Sequence, residues 1–171
     1  MSNLLIREAC AQDRDAIRDV TLAAYQEYAD QLLDFYWAAY RENILVTLAD
    51  VEAAEQLVAD DDGVILGTTL LYPPRRMVVN DELSIDNPWP EVRLLAVAPA
   101  ARGRGVGLAL MQECVRRARR AGAAALSLHT TAFMLAAARM YAQMGFVPAP
   151  ELDFEPAPGF TIKGYRLDLQ R

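Results

Sequence analysis

The segment with the clearest chemistry is a glycine-rich run, residues 97–108, between a predicted strand and a predicted helix. Its glycines, Gly103, Gly105 and Gly107, allow the backbone to approach a ligand closely. The first N–H groups of a helix lack partners within the helix, and with the positive end of the helix dipole they form an anion site. Arg102 and Arg104 add positive charge there. The run therefore predicts a phosphate site, and a pyrophosphate suits it best.

Two familiar phosphate loops are excluded by the residues of this run. A Walker loop ends in Gly-Lys-Ser/Thr, whereas the sequence here reads Gly-Val-Gly. The dinucleotide fingerprint Gly-x-Gly-x-x-Gly requires a third glycine where Leu108 stands. Taken alone, a Gly-x-Gly segment is more often an ordinary turn with exposed arginines.

The elements around this run alternate between strands and helices. Strand 91–97, helix 105–121, strand 124–128 and helix 132–144 are predicted, with Gly145 as the cap that ends the last helix. Connections of these lengths place the two strands in the same sheet. The other predicted strands are 4–7, two β-type runs 56–59 and 64–72 joined by a turn at 60–63, and a closing strand 160–169 with an irregularity near Gly164. The other predicted helices are one with Asp13 as a candidate cap and an aromatic-rich helix 33–48. Prolines predict a long loop between 73 and 90 and an extended loop 147–158.

Composition narrows the class of protein. The 171 residues suit one domain, 1–171, and the net charge of −6 disfavours a nucleic-acid binder. No run of about eighteen apolar residues predicts a membrane span, and no leader is expected. One histidine and two distant cysteines, Cys10 and Cys114, indicate neither a metal site nor a disulfide framework. A cytoplasmic protein that binds neither nucleic acid nor membrane is expected.

Three blocks in order resemble the GNAT superfamily of acetyl-CoA-dependent N-acetyltransferases. The signature Arg/Gln-x-x-Gly-x-Gly/Ala is matched by residues 102–107, and its usual lead-in Leu-Ala-Val-x-Pro by residues 95–99. The downstream mark Ala-x-x-x-Tyr-x-x-x-Gly-Phe is matched by residues 137–146. One position departs: many members carry Asn seven residues before the tyrosine, where Met134 stands here.

This resemblance implies an α/β (α+β) fold, a single GNAT-like domain whose mixed central sheet has two splayed parallel strands flanked by helices. Acetyl-CoA would be the co-substrate, without a metal, and its pantetheine arm would lie between the splayed strands. Thr130 or Thr131 would supply part of the contact that the missing Asn makes elsewhere. The implied cofactor-binding residues are Leu95, Ala96, Val97, Arg102, Gly103, Arg104, Gly105, Val106, Gly107 and Thr130.

Two catalytic residues are also implied. Tyr141 would be the general acid that protonates the leaving thiolate, although its helical spacing equally suits a core tyrosine. Glu91 would remove a proton from the acceptor ammonium, because only the free amine attacks the thioester. Glu91 is equally explained as a carboxylate that balances Arg93, and His129 as a structural residue. Other candidates for the base are Glu27, Asp34, Glu82 and Asp86.

The expected reaction is acetyl transfer to a primary amine by direct attack in a ternary complex. The acceptor, a small molecule or a peptide, is not readable from the sequence, and a homodimer stays open as the assembly. Residues expected to shape the acceptor site are Tyr25, Tyr28, Tyr36, Trp37, Trp89, Asp153 and Glu155. The alternative is a catalytically silent module that binds acyl-CoA as a sensor or regulator.

Overall fold

A computed structural model describes residues 4–51 and 53–170, without the side chain of Phe35. The helices are α1 Arg14–Tyr25, α2 Asp34–Ala49, α3 Val106–Arg120 and α4 Leu135–Met144. The strands are β1 Leu4–Glu8, β2 Glu55–Asp61, β3 Val64–Tyr72, β4 Arg75–Val78, β5 Ser84–Asn87, β6 Glu91–Val97, β7 Ala125–Thr130, β8 Val147–Pro148, β9 Phe154–Ala157 and β10 Phe160–Asp168. The chain divides into two compact units, and β6 and α3 contribute residues to both.

The first unit comprises the described residues through Leu71 together with Leu94–Glu113. Its strands follow the order β1-β2-β3-β6, with β1, β2 and β3 antiparallel. Ile17, Val58 and Ile65 form a buried cluster, because one face of α1 packs on the sheet. The turn between β2 and β3 has Gly63 at φ +90°, as predicted for this hairpin.

The second unit comprises Tyr72–Arg93 and the described residues from Cys114 onward. Its strands follow the order β6-β7-β10-β8, with β9 also on β10 and a separate β4-β5 pair. β6 and β7 are parallel, with Glu91 opposite Ser127 and Val92 opposite Leu128. β10 runs antiparallel to β7. Parallel and antiparallel pairs in one sheet confirm the predicted mixed α/β fold, while the extent of a single domain stays a prediction.

An ion-pair cluster fixes the start of α1 on the sheet of the first unit. Arg7 on β1 donates to Asp13 at 2.7 Å and to Asp60 on β2 at 2.9 Å. The hydrogen bond from Arg7 is the main reason that the pKa of Asp13 lies well below its usual range. Asp13 also accepts from the Cys10 N–H, so it closes the 3-10 turn before α1 and makes no side-chain cap bond to α1 itself. Asp13 therefore stands at the N-cap position of α1, as predicted, although its side chain makes no bond to that helix.

Several elements differ from their predicted extent. The predicted loop after β3 contains the β4-β5 hairpin, whose turn is held because Asn80 accepts from the Glu82 and Leu83 N–H groups. The predicted loop 147–158 contains β8 and β9. α4 begins at Leu135, after a turn in which the Met134 N–H donates to Thr131. Gly145 ends α4 at φ +93°, as predicted.

Gly164 lies where two backbones approach closely. A Cβ at this position would stand 2.4 Å from Leu152 Cβ and 2.9 Å from the Ala149 carbonyl oxygen. The register irregularity of β10 lies between Phe160 and Ile162 rather than at Gly164, which pairs regularly with His129. Close approach, not a bulge, is therefore the reason for this glycine.

We expect Gly164→Ala to lower the free energy of unfolding by about 1–3 kcal/mol, because Leu152 and the Ala149 carbonyl must move. Urea unfolding at neutral pH measures this change. Val147→Thr, an exposed β-branched position on β8, should change stability by less than about 0.5 kcal/mol. Equal stability of Gly164→Ala and the wild type would contradict the close approach.

Candidate active site

The phosphate loop, residues 102–107, has the backbone that its glycines predict. Gly103 and Gly105 adopt φ +74° and +79°, a region that L side chains rarely occupy. A Cβ at either position would meet nothing within 4 Å, so the need for glycine comes from the backbone and leaves room for a ligand. The Ala109 N–H donates to the Gly105 carbonyl at 3.0 Å, so the N–H groups of 106–108 precede the first helical bond of α3. This arrangement fits a phosphate anion.

The two arginines of the loop point to carboxylates of the first unit. Arg102 is paired with Glu27 and also donates to the Ala24 carbonyl at 3.1 Å. Arg104 donates to Asp61 at 2.9 Å. All four charged side chains are partly exposed, so water screens these ion pairs. The predicted phosphate contacts of Arg102 and Arg104 stay predictions.

The second half of β6 has an unusual backbone. Leu94 adopts φ +49°, which costs a non-glycine residue about 1–3 kcal/mol and has no signal in the sequence. The Leu95 carbonyl accepts from the Tyr25 hydroxyl at 3.3 Å, a contact that sequence reasoning also missed. Ala96 is buried, and a Cβ on Gly67 would lie 2.9 Å from its carbonyl oxygen. The proposed backbone contacts of Leu95, Ala96 and Val97 with pantetheine are not tested by this geometry.

Glu91, at the start of β6, lies in a buried charged cluster of the second unit. Only 1% of Glu91 is exposed. His129 Nδ1 lies 2.8 Å from Glu91 Oε1, and Arg75 Nη2 donates to Oε2 at 3.2 Å. His129 Nε2 lies 2.9 Å from the Leu152 carbonyl oxygen, so a ring that serves both acceptors carries a proton on each nitrogen. Arg75 also stacks 3.9 Å from the ring centroid of Tyr72.

The environment of Glu91 favours its ionised form. Burial by itself would raise the pKa of the Glu91 carboxyl, but the hydrogen bond and charge of His129, with the charges of Arg93 and Arg75, hold that pKa below its usual range. A carboxylate directed at two cations is a weak proton acceptor. These contacts therefore suit a Glu91 carboxylate that anchors His129 and Arg75 better than one that exchanges a proton with solvent. Arg75 was missed in the sequence because its segment reads as a loop.

Tyr141 and Thr130 lie in the second unit. Tyr141 is 7% exposed, with its ring 5.8 Å from that of Phe146, so it packs as a core residue as well as carrying a hydroxyl. Thr130 ends β7, and Thr131 follows it. Both are at least nine-tenths buried, and their hydroxyls have no hydrogen-bond partner among residues 4–51 and 53–170. Such orphaned groups fit polar atoms of a bound pantetheine amide.

The residues expected at an acceptor site fall in both units. In the first unit, Tyr25 makes edge contacts with Tyr28 and Tyr40, and Trp37 makes one with Tyr40. Burial, and next the hydrogen bond to Glu27, raise the pKa of Tyr28 to about 12. In the second unit, Arg166 lies over the Trp89 ring, Asp153 pairs with Lys163, and Glu155 accepts from Thr161.

The other candidate bases are solvent-exposed. Glu82 lies in the β4-β5 turn and Asp86 on β5, where Arg76 is 4.0 Å away. Asp34 lies in the first turn of α2. Exposure lets these carboxylates exchange protons with water. Glu27 is paired with Arg102 and Asp86 more loosely with Arg76, whereas Glu91 is buried between two cationic side chains.

Residues 4–51 and 53–170 contain no group of three or more His, Cys, Asp or Glu side chains placed to hold a metal ion. Among the helices of the same residues, none is long and apolar enough to cross a membrane.

Comparison with known proteins decides the family. Residues 14–146 match the Acetyltransferase (GNAT) family. The chain belongs to this family. Mycothiol acetyltransferase from Nocardia farcinica (strain IFM 10152) is 33% identical to this GNAT chain over 101 residues, which are 59% of the chain and 27% of the relative. The chain therefore matches about a quarter of that curated relative.

Solved structures share the fold of this GNAT chain. An acetyltransferase of the GNAT family from Staphylococcus aureus Mu50 has a TM-score of 0.74 at 15% identity, covering 98% of this chain and 99% of its own. A GNAT acetyltransferase from Brucella melitensis, solved with acetyl-CoA, has a TM-score of 0.64 at 24% identity, covering 100% and 91%. The family match confirms the predicted GNAT membership, and these structures confirm the GNAT fold.

Glu91→Gln should lower the free energy of unfolding at pH 7 by about 3–5 kcal/mol, because it leaves His129 and Arg75 without a buried counter-charge. The pKa of Glu91 is lower when folded, so its contribution is present above the unfolded pKa and is lost as pH falls through the folded value. The difference between variant and wild type should therefore shrink on acidification. Urea unfolding across pH 3–7 tests this, with the exposed Glu82→Gln as an unaffected control; a pH-independent difference would refute it.

Proposed function

We propose that this GNAT enzyme transfers the acetyl group of acetyl-CoA to a primary amine, by direct attack in a ternary complex. The observation that carries the proposal is the phosphate loop, where Gly103 and Gly105 adopt positive φ directly before α3. When bound, acetyl-CoA supplies an activated acetyl thioester. A direct test is a panel of primary amines with acetyl-CoA, followed by thiol release and by mass spectrometry of the products.

The cofactor phosphates would be held mainly by backbone. The N–H groups of Gly103, Gly105, Val106 and Gly107 lie in or just before the first turn of α3, where the helix dipole also favours negative charge. Arg104 is exposed at the same loop and adds a positive charge that can turn from Asp61 to a phosphate. The orphaned Thr130 hydroxyl would bond the pantetheine arm, as would the backbone of Leu95, Ala96 and Val97.

Tyr141 is the proposed general acid. Its hydroxyl would donate a proton to the sulfur that leaves, which for a thiol of ordinary pKa is a modest contribution of about 10²–10⁴-fold. Its position in α4, four residues before Gly145, fixes the ring against Phe146. That packing restricts the position of the hydroxyl oxygen, which a general acid requires.

The acceptor ammonium must also lose a proton before its amine can attack the thioester. Glu91 is the proposed base, but its burial and its two cationic partners mean that any proton must reach it through bound water. An amine that is already uncharged would not need this step. Turnover of Glu91→Gln that rises with pH as steeply as in the wild type would assign proton removal to solvent or to the exposed Asp86 or Glu82.

The acceptor class is a small molecule or a protein amine, as befits GNAT acetyltransferases. The relative from Nocardia farcinica is named mycothiol acetyltransferase, so amine-bearing forms of mycothiol belong in the panel. A net charge of −6 and the tyrosines of the first unit favour a cationic acceptor. A cytoplasmic location, as the sequence predicts, is part of the proposal.

The phosphate loop is tested with matched glycine variants. Gly105→Val should abolish the rise in Tm that CoA gives by mass action, because a side chain would fill the space next to the backbone donors. Gly122→Val is the control: Gly122 has φ +73° and equally open space, so it carries the same strain at the far end of α3. Both variants should lose stability, but only Gly105→Val should lose CoA binding in calorimetry. Normal binding to Gly105→Val would show that the site is elsewhere.

Tyr141→Phe should lower kcat by about 10²–10⁴-fold while Tm and CoA affinity barely change, because it removes a hydroxyl and keeps the ring. Single-turnover measurements with an amine found in the panel report the rate of the acetyl-transfer step itself. Tyr165→Phe, a partly buried tyrosine on β10, is the matched control and should retain activity. Wild-type chemistry in Tyr141→Phe would make the hydroxyl structural.

A further inference from the structure

Arg102 is the first residue of the phosphate loop, yet its side chain is directed to a different part of the first unit. Its Nη1 pairs with Glu27 Oε2, and its Nη2 donates to the Ala24 carbonyl at 3.1 Å. Ala24 lies in the last turn of α1, where carbonyls lack helical partners and the dipole favours a cation. Arg102 therefore caps α1 and holds the segment that follows it.

That following segment is the 3-10 turn Gln26–Gln31, which carries Glu27 and Tyr28. Glu27 also interacts with the Tyr28 hydroxyl and helps to raise its pKa, so Arg102, Glu27 and Tyr28 form one chain of interactions. A second link lies beside it, because the Tyr25 hydroxyl donates to the Leu95 carbonyl of β6. The end of α1 is thus bonded both to Arg102 and to Leu95, two residues predicted to bind the cofactor.

We propose that Arg102 is a positioning residue that couples the phosphate loop to the Gln26–Gln31 turn, so that CoA binding orders this turn. This inference rests on the proposed function, since it takes the loop as the CoA phosphate site. The backbone of the loop binds the phosphates and becomes fixed. The Arg102 guanidinium is then held in place, and its ion pair with Glu27 restricts the turn that carries Tyr28. The turn carries Tyr28, one of the residues expected to shape the acceptor site, so the coupling reaches that site.

The coupling can be measured with CoA alone, without knowledge of the acceptor. Hydrogen exchange of residues 24–31 is followed with and without CoA, and the Kd of CoA is measured by calorimetry. The variants are Arg102→Met, Glu27→Ala and the double substitution. Arg18→Met is the control, because Arg18 lies on α1 and pairs with Asp15 and Asp19 away from the loop.

In the wild type and in Arg18→Met, CoA should slow exchange across residues 24–31. In the other three variants this protection should be lost, and the Kd of CoA should rise about 5-fold in each. The double variant should bind CoA no more weakly than either single variant, because both side chains act through one contact. With an amine from the panel, Arg102→Met should raise the amine KM more than it lowers kcat.

Two results would overturn the coupling. A Kd for Arg102→Met at least tenfold above that of Glu27→Ala would mean that the guanidinium binds phosphate directly. Protection of residues 24–31 by CoA that persists in Arg102→Met, or that is missing in a wild type that binds CoA, would mean that the turn is not coupled to the loop. A wild type that binds no CoA would overturn the proposed function as well.

Discussion

The left-handed backbone at Gly103 and Gly105 is the constraint on which the proposed cofactor site depends. It turns the chain from β6 into α3 so that the first N–H groups of the helix precede its first internal hydrogen bond. An L side chain at either position would be strained even with open space around it. The space beside these glycines is empty, so packing does not require them, and a phosphate group can occupy that space. Backbone conformation and ligand access are therefore two consequences of one local geometry.

Charge in this protein is organised within short networks rather than as a single-signed surface. Arg7 joins Asp13 and Asp60 at the base of α1, and Arg104 pairs with Asp61 beside the loop. The exposed pairs contribute little to stability, because water and salt screen them. Their importance lies in their position. Arg104 is paired with Asp61 at the loop, so its guanidinium can turn from that carboxylate to an anionic ligand.

Glu91 illustrates how a buried charge restricts function. Its family position suggests a base, but a base must exchange protons, and the pKa of Glu91 is held low by His129, Arg93 and Arg75 against the effect of burial. The cluster also reaches the Leu152 carbonyl through His129, and Leu152 packs on Gly164. Loss of the carboxylate would therefore disturb the packing of β10 as well as the chemistry. An activity defect in a Glu91 variant is informative only beside a stability measurement.

The sequence by itself determined the local features: the glycine loop before α3, the hairpin at Gly63, the end of α4 at Gly145, and the three motif blocks that identify the family. Each of these depends on residues close together in the chain, whose conformational preferences are expressed wherever the chain folds. The tertiary structure alone decided the partners of the charged side chains. Arg102 meets Glu27, and Glu91 meets Arg75 and His129, across separations of 75, 16 and 38 residues. It also decided the strained φ of Leu94, which leucine disfavours and no pattern announces. Such contacts depend on strand order and register, and these are fixed by the packing of the whole sheet rather than by any one segment.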